Sequence, residues 1–291
     1  MTLYDALVGP FAEFAFMRRA LVGSLALSLG AAPIGVFLML RRMSLTGDAM
    51  AHAILPGAAV GFLVAGLSLP AMTLGGLVAG VSVALLTGLV ARTTVLKEDA
   101  ALASFYLLSL ALGVTLVSLK GSNVDLLHVL FGSVLALDDQ AMLLLAGVAS
   151  VTLVALALIY RPLVLECVDP GFLRSVSRAG GPVHFIFLGL VVLNLVAGFQ
   201  ALGTLLAVGV MMLPAAAARF WSNALTPMFA VAILVASLAS VAGLLVSYHF
   251  DLPTGPAIIL SAGVLYLVSV AVGWSGGVLW RLAPPRHHRA A

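Results

Sequence analysis

The stretch RRMSLTGDAMAHAILPG, residues 41–57, marks a turn of the chain at a membrane surface. Its two arginines close an apolar run over residues 20–40, and a second apolar run begins shortly afterwards, over residues 49–68. Each run has the length that an α-helix needs to cross a bilayer, about 20 residues. The stretch therefore predicts two consecutive membrane helices, with Asp48 and His52 near the start of the second.

The remainder of the chain repeats this pattern. Of its 291 residues 63% are hydrophobic and 9% are charged, and the mean hydropathy is +1.20, which excludes an ordinary soluble domain. Further runs of spanning length cover residues 71–91, 100–119, 140–160, 184–199, 202–220, 225–248 and 256–275. We expect an all-α polytopic protein of nine helices, or eight if the runs 184–199 and 202–220 form one bent span with a re-entrant piece. No loop is long enough for a second domain, so residues 1–291 are predicted to form one transmembrane domain.

Two pairs of glycines predict close helix packing within this domain. Gly57 and Gly61 are four residues apart, as are Gly76 and Gly80. Small residues at this spacing lie on one face of a helix and let a neighbouring backbone approach.

The basic residues predict the orientation of the chain. Cytoplasmic loops of membrane proteins carry an excess of Lys and Arg. When the connection that starts at Arg161 is placed in the cytoplasm, only Arg18, Arg19 and Lys120 fall on the opposite side. The C-terminus is therefore predicted to be cytoplasmic. Because the net charge of +3 is dispersed between apolar runs, with no basic stripe, it does not indicate nucleic-acid binding.

The longest polar connection covers residues 161–183. Asp169 followed by Pro170 is a helix-start signal, and a pair of glycines at Gly180 closes the segment. A short cytoplasmic helix is predicted here, and an ordinary solvated loop is the alternative. His184, at the end of this connection, is expected to be solvated or to cap a helix.

Asp48 and His52 carry the chemistry of the opening stretch. Residues four apart lie on one face of a helix, so a carboxylate and an imidazole would be within reach of one ion. This combination suits zinc or manganese, whereas magnesium and calcium take oxygen ligands. The alternative is that Asp48 caps the helix and His52 fills a gap. An aspartate near the bilayer centre costs roughly 2.5–3.5 kcal/mol on insertion scales, which favours a functional role.

Two ligands cannot hold a divalent ion tightly, so a second set is expected. Two copies of the chain related by a two-fold axis would supply two carboxylates and two imidazoles, which is compatible with a tetrahedral ion. Further candidates for the ion path are His128, His249 and Asp251. The sequence contains no phosphate-binding loop and no hydrolase motif, so energy must come from another chain or from an ion gradient.

Four segments together resemble the permease subunits of bacterial ABC importers for zinc and manganese, the ABC-3 family. They are FMRRALVGSLALSLGAAPIGVFLMLRRMSLTGDAMAHAILPGAAVGF (16–62), LHVLFGSVLAL (127–137), ALGTLLAVGVMMLPAAAARF (201–220) and YHFDLPTGPAIIL (248–260). They occur in the family's order, and the resemblance covers nearly the whole chain. It implies a type II-like importer in the bacterial inner membrane, made of a permease homodimer, a cytoplasmic ATP-binding subunit on each copy and an extracytoplasmic metal-binding protein.

The resemblance also implies roles for individual residues. Family members share the aspartate and histidine that stand here as Asp48 and His52, which makes metal coordination their expected role. A short cytoplasmic helix couples the ATPase to the permease in this family, and the candidates for that contact are Glu166, Asp169, Pro170, Arg174 and Gly180.

The resulting hypothesis is a permease, not an enzyme, that imports zinc or manganese by alternating access. No cofactor is expected to be bound permanently, ATP is expected in the partner subunit, and zinc is favoured because imidazole ligation suits it. The first alternative is a gradient-driven metal transporter or channel. The second is an intramembrane enzyme that uses Asp48 and His52 as acid and base.

Overall fold

The computed structural model describes residues 3–66, 68–119, 134, 137–177 and 180–282. Within these ranges the regular elements are α-helices, with no β-strand. Helices satisfy every backbone polar group internally, which an apolar environment requires. Their bounds are α1 Leu3–Leu7, α2 Gly9–Glu13, α3 Ala15–Leu40, α4 Thr46–Ala53, α5 Leu55–Ala65, α6 Leu69–Thr93, α7 Glu98–Leu119, α8 Asp139–Val168, α9 Pro170–Val176, α10 Gly180–Leu202, α11 Thr204–Ala218, α12 Leu225–Phe250, α13 Thr254–Val272 and α14 Val278–Leu282.

The described part of the chain contains eight spans long and apolar enough to cross a bilayer, with α4 and α5 counted as one. The predicted run 202–220 instead forms α11, which has 15 residues. At 1.5 Å per residue α11 is about 22 Å long, shorter than a hydrocarbon core of about 30 Å. The prediction of eight to nine membrane helices is confirmed as eight long helices and one short one.

Gly203 makes the break between α10 and α11. Its φ of 99° and ψ of 156° lie in a region that residues with a side chain rarely adopt, and its N–H bonds back to Gly198 and Phe199 carbonyls. The chain therefore reverses within one residue, and α11 packs back between α3, α10, α12 and α13.

Two long helices form the centre of the bundle. In α3 and in α10, 72% of the most apolar window is buried, against 22–44% in the other long spans. The outer helices therefore present much of their apolar surface outward, as helices in contact with lipid acyl chains do.

The opening stretch folds into a tight reversal between α3 and α4. Arg42 has a φ of 59°, the Met43 N–H bonds to the Leu38 carbonyl at 2.9 Å, and the Thr46 N–H bonds to the Met43 carbonyl at 3.0 Å. Because this turn is so short, α4 starts beside the end of α3, with Asp48 in its first turn.

The predicted glycine faces make close helix contacts. A Cβ at Gly57 would lie 2.0 Å from the Gly75 carbonyl oxygen, and one at Gly61 would lie 2.5 Å from the Ala71 carbonyl oxygen. Gly76 and Gly80 lie against side chains of Ile54, Val192 and Val196. The backbones of α5 and α6 can touch only because these positions lack side chains.

The predicted cytoplasmic connection is shorter than residues 161–183. α8 continues to Val168, with Pro162 inside it, and α10 begins at Gly180. Helix α9 starts at Pro170 as the sequence predicts, since the Asp169 carboxylate accepts the Phe172 N–H at 2.9 Å. Gly180, predicted to close the segment, instead opens the next helix. We call residues 169–177 the docking segment, because they lie within the connection where the family resemblance predicts contact with an ATPase.

Candidate metal centre

Asp48 and His52 lie one turn apart on the same face of α4. The distance from His52 Nε2 to Asp48 Oδ1 is 3.9 Å, and their side chains are 32% and 68% exposed respectively. At that separation the two groups are too far apart for a direct hydrogen bond, but both can reach one ion between them. The face that carries them is open rather than packed into the protomer.

The opposite wall of the site comes from α11 and α13. Asp48 and His52 border a cleft of about 350 Å³ with Thr204, Leu205, Val208, Gly209 and Ile259. Thr204 is the first residue of α11, directly after the Gly203 reversal, and Ile259 is in the second turn of α13. The pair therefore faces a largely apolar cleft between α4, α11 and α13.

The other ring nitrogen of His52 is turned into the protein. Nδ1 is buried and has no hydrogen-bond partner among the described residues, and the ring lies 6.3 Å from that of Tyr106 on α7. Nε2 is therefore the nitrogen available to a ligand at the cleft. The capping alternative for Asp48 is wrong, because the N-cap position of α4 is Leu45 and no side chain caps it.

The remaining ion-path candidates lie elsewhere. His249 is in the last turn of α12, and its Nε2 lies 2.9 Å from the Ala6 carbonyl oxygen. Asp251 is the C-cap of the same helix with a φ of 50°. Both residues therefore lie at the end of α12. They do not lie beside Asp48 and His52. His128 lies outside the described residues.

The residues predicted to contact an ATPase lie in the docking segment or next to it. Asp169 caps α9, Pro170 is its first residue, and Arg174 lies on it. The Glu166 side chain is only 9% exposed and lies 3.8 Å from Arg41, and its contact with an ATPase stays a prediction. Gly180 is packed against it, since a Cβ there would lie 3.1 Å from Glu166 Oε2.

His184 is buried, so the expectation that it is solvated or caps a helix is wrong. Only 5% of the surface of the whole residue is exposed, and the side chain lies between two charged residues. Arg41 donates to its Nδ1, and its Nε2 lies 3.1 Å from Glu98 Oε1. No local pattern could have shown this, because Arg41 and His184 are 143 residues apart.

No group of three or more His, Cys, Asp and Glu side chains suited to a metal ion occurs in the described ranges. As a metal site, Asp48 and His52 would be a half-site that needs further ligands. The eight long apolar helices and this half-site define the protein as a polytopic membrane protein with a candidate site for a divalent cation within its spans.

Comparison with known proteins shows the family of membrane proteins to which the chain belongs. Residues 13–273 match the family model described as ABC 3 transport family. The chain is 34% identical over 257 residues to a manganese import system permease protein, ScaB, of Streptococcus parasanguinis, covering 88% of this chain and 90% of that protein. It is 31% identical over 268 residues to a chelated iron transport system membrane protein, YfeD, of Yersinia pestis, covering 92% and 89% of the two chains.

A solved structure has the same fold. PsaBC from Streptococcus pneumoniae in complex with Fab superposes with a TM-score of 0.83 at 29% identity, covering 96% of this chain and 98% of the other. The chain belongs to the ABC 3 transport family. It is a permease subunit of a metal-importing ABC transporter, a multi-pass protein of the bacterial inner membrane, as the four sequence segments predicted.

Proposed function

We propose that two copies of this chain form the pathway of an ATP-driven importer in which Asp48 and His52 of both copies bind a divalent transition-metal ion. The observation that supports this most directly is the open half-site on α4. A carboxylate that is 68% exposed on the surface of a membrane-spanning bundle is costly to leave facing lipid. Contact with the same face of a second copy would remove that cost and complete the ligand set.

The two-fold arrangement follows from the number of ligands. One carboxylate oxygen and one imidazole nitrogen per chain give an N2O2 set when two chains meet across an axis parallel to the spans. The site would then lie between protomers, where an ion can enter from one side and leave on the other as the two bundles move.

Manganese is the metal we propose for this site. The preference for zinc has no support among the relatives compared above, whose names carry manganese and chelated iron. Carboxylate ligands suit manganese, and imidazole suits iron and zinc as well. A sparse four-ligand site can release the ion it binds.

Energy and delivery come from other chains. We infer that a cytoplasmic ATP-binding subunit binds the docking segment of each copy, and that an extracytoplasmic metal-binding protein delivers the ion to the opposite end. This places the docking segment and the C-terminus in the cytoplasm, in agreement with the distribution of Lys and Arg.

The test is uptake of radioactive manganese by vesicles that contain this chain and its ATPase, with zinc and iron as competitors. Asp48→Ala and His52→Ala should each lower ATP-driven uptake by more than about tenfold. Loss of a side chain that only orients a metal ligand already costs about 10–100-fold in affinity or activity, and these two residues are the proposed ligands themselves. Asp139→Ala is the matched control, because Asp139 is a 78% exposed carboxylate in a surface ion pair with Arg19.

Uptake that is unchanged in both variants would refute the assigned site. Uptake that continues without ATP and follows an ion gradient would instead support the secondary transporter. Competition by zinc at lower concentration than manganese would restore zinc as the substrate.

A further inference from the structure

Four ionisable side chains from four different helices meet at one end of the bundle. Arg41 is the C-cap of α3, Glu98 begins α7, Glu166 is in the last turn of α8 and His184 is in the second turn of α10. The side chains of Arg41 and Glu166 are each 9% exposed, and that of His184 is 7% exposed. We call these four residues the Arg41 cluster.

Arg41 joins the other members of the cluster. Its Nη2 lies 3.8 Å from Glu166 Oε1 and also donates to His184 Nδ1. A guanidinium has donors only, so Nδ1 accepts, and Nε2, which faces Glu98 at 3.1 Å, is the donor of the ring. The guanidinium also lies over the Phe187 ring, with its carbon 5.3 Å from the ring centroid. A single side chain thus holds α8, α10 and, through His184, α7.

The cluster lies between the docking segment and the metal half-site. Glu166 comes just before the docking segment and His184 comes shortly after it, so Arg41 holds both of its flanks. On its other side Arg41 begins the hydrogen-bonded turn that leads into α4, where Asp48 is in the first turn. A displacement of the docking segment therefore reaches Asp48 through one contact and one short turn.

The hydrogen bonds of the cluster are incomplete in this arrangement. Arg41 Nη1 and Glu166 Oε2 are buried and have no hydrogen-bond partner among the described residues. Buried groups of this kind are rare, and each destabilises the arrangement in which it occurs. A cavity of about 500 Å³ beside them, bordered also by Glu98, Asp99 and Cys167, gives the side chains room to move. The cavity therefore leaves the four side chains free to exchange partners.

We propose that Arg41 is a positioning residue that couples the docking segment to α4, through pairing with Glu166 and His184 that changes when the ATPase moves the segment. This inference rests on the proposed function, because it requires an ATPase on the docking segment and an ion at Asp48. Stability alone is a poor explanation for the cluster, since buried ion pairs can often be replaced by apolar side chains without loss of stability.

The experiment measures manganese uptake and ATP hydrolysis in the same vesicles that contain the chain and its ATPase, and takes the ratio of ions moved to ATP consumed. Arg41→Met should lower this ratio about fivefold or more, as loss of a coupling contact between two sites does. Arg41→Lys keeps the charge but has no planar fork to span Glu166 and His184, and should lower the ratio less. Arg161→Met is the matched control, because Arg161 is an exposed arginine on α8 that belongs neither to the cluster nor to the turn before α4.

A double variant separates coupling from folding. Arg41→Met combined with Glu166→Leu removes the unpaired buried carboxylate and should restore assembly and thermal stability, while the ratio of ions to ATP stays low. A double variant with the wild-type ratio would overturn the proposal and reduce the cluster to a structural role. Wild-type vesicles that show no ATP-driven uptake would overturn the proposed function itself, whereas wild-type uptake with an unchanged ratio in Arg41→Met would overturn only the coupling role.

Discussion

Asp48 Oδ1 and His52 Nε2 lie 3.9 Å apart on the open face of α4, and no third His, Cys, Asp or Glu among the described residues joins them in a group suited to a metal ion. In the proposed dimer, this pair sets the stoichiometry of metal binding.

We expect the purified chain to bind one manganese ion for every two copies, because four ligands are needed and each copy supplies two. Equilibrium binding of radioactive manganese to the dimer in detergent measures this ratio. Asp139→Ala should leave it unchanged. A ratio of one ion per chain would show that each copy completes a site alone and would contradict the shared site.

Asp48→His should shift the metal preference towards zinc. The substitution changes the proposed ligand set from two carboxylates and two imidazoles to imidazoles alone, and carboxylate ligands suit manganese whereas imidazole suits zinc. Competition between the two metals for uptake measures the shift, with wild type as reference. A variant that transports with unchanged preference would indicate that the choice of metal is made elsewhere.

Two substitutions of Asp169, the N-cap of α9, distinguish the role of its hydrogen bond from the role of its charge. Asp169→Ala removes the bond to the Phe172 N–H and should cost about 1 kcal/mol of helix stability. ATP-driven uptake should fall as the docking segment loses order. Asp169→Asn keeps an oxygen that can accept the same bond, so we expect near wild-type uptake. If Asn behaves like Ala, the carboxylate charge is what the ATPase recognises.

Gly57→Ala should destabilise the bundle by about 1–3 kcal/mol, the usual cost of an extra methyl group in a packed site. Its Cβ would lie 2.0 Å from the Gly75 carbonyl oxygen, and a backbone atom cannot move aside as a side chain can. Thermal unfolding in detergent measures the effect. Gly147→Ala is the control, since nothing lies within 4 Å of a Cβ at that position. Equal stability of both variants would show that α5 and α6 can separate at no cost.

Gly203→Ala should cost about 1–3 kcal/mol for a different reason, because its φ of 99° disfavours any side chain. Gly189→Ala on α10 provides the comparison, as its Cβ would meet no atom within 4 Å. We expect the Gly203 variant to unfold at lower temperature and to lose uptake, since α11 forms one wall of the metal cleft. A fully active Gly203→Ala protein would show that the reversal tolerates another backbone conformation.

Features that depend on residues close in the chain were predictable from the amino-acid sequence. Contiguous apolar runs predicted the spans, the four-residue spacing of Asp48 and His52 placed them on one helix face, and the Asp169–Pro170 signal predicted the start of α9. Each depends only on helix geometry or on the cost of burying polar backbone in lipid. The end of α8 at Val168 was missed because the helix continues through Arg161 and Pro162.

The choice of which helices meet could not be read from the sequence. The pairing of Arg41 with His184, the contact of Gly57 with Gly75, and the position of α11 opposite Asp48 join residues that are distant in the chain. A membrane helix is apolar on its lipid face and on its packed face alike, so hydropathy does not reveal which side faces a neighbour. Shape, small residues and the pairing of buried charges select the partners, and these become visible only when the helices are assembled.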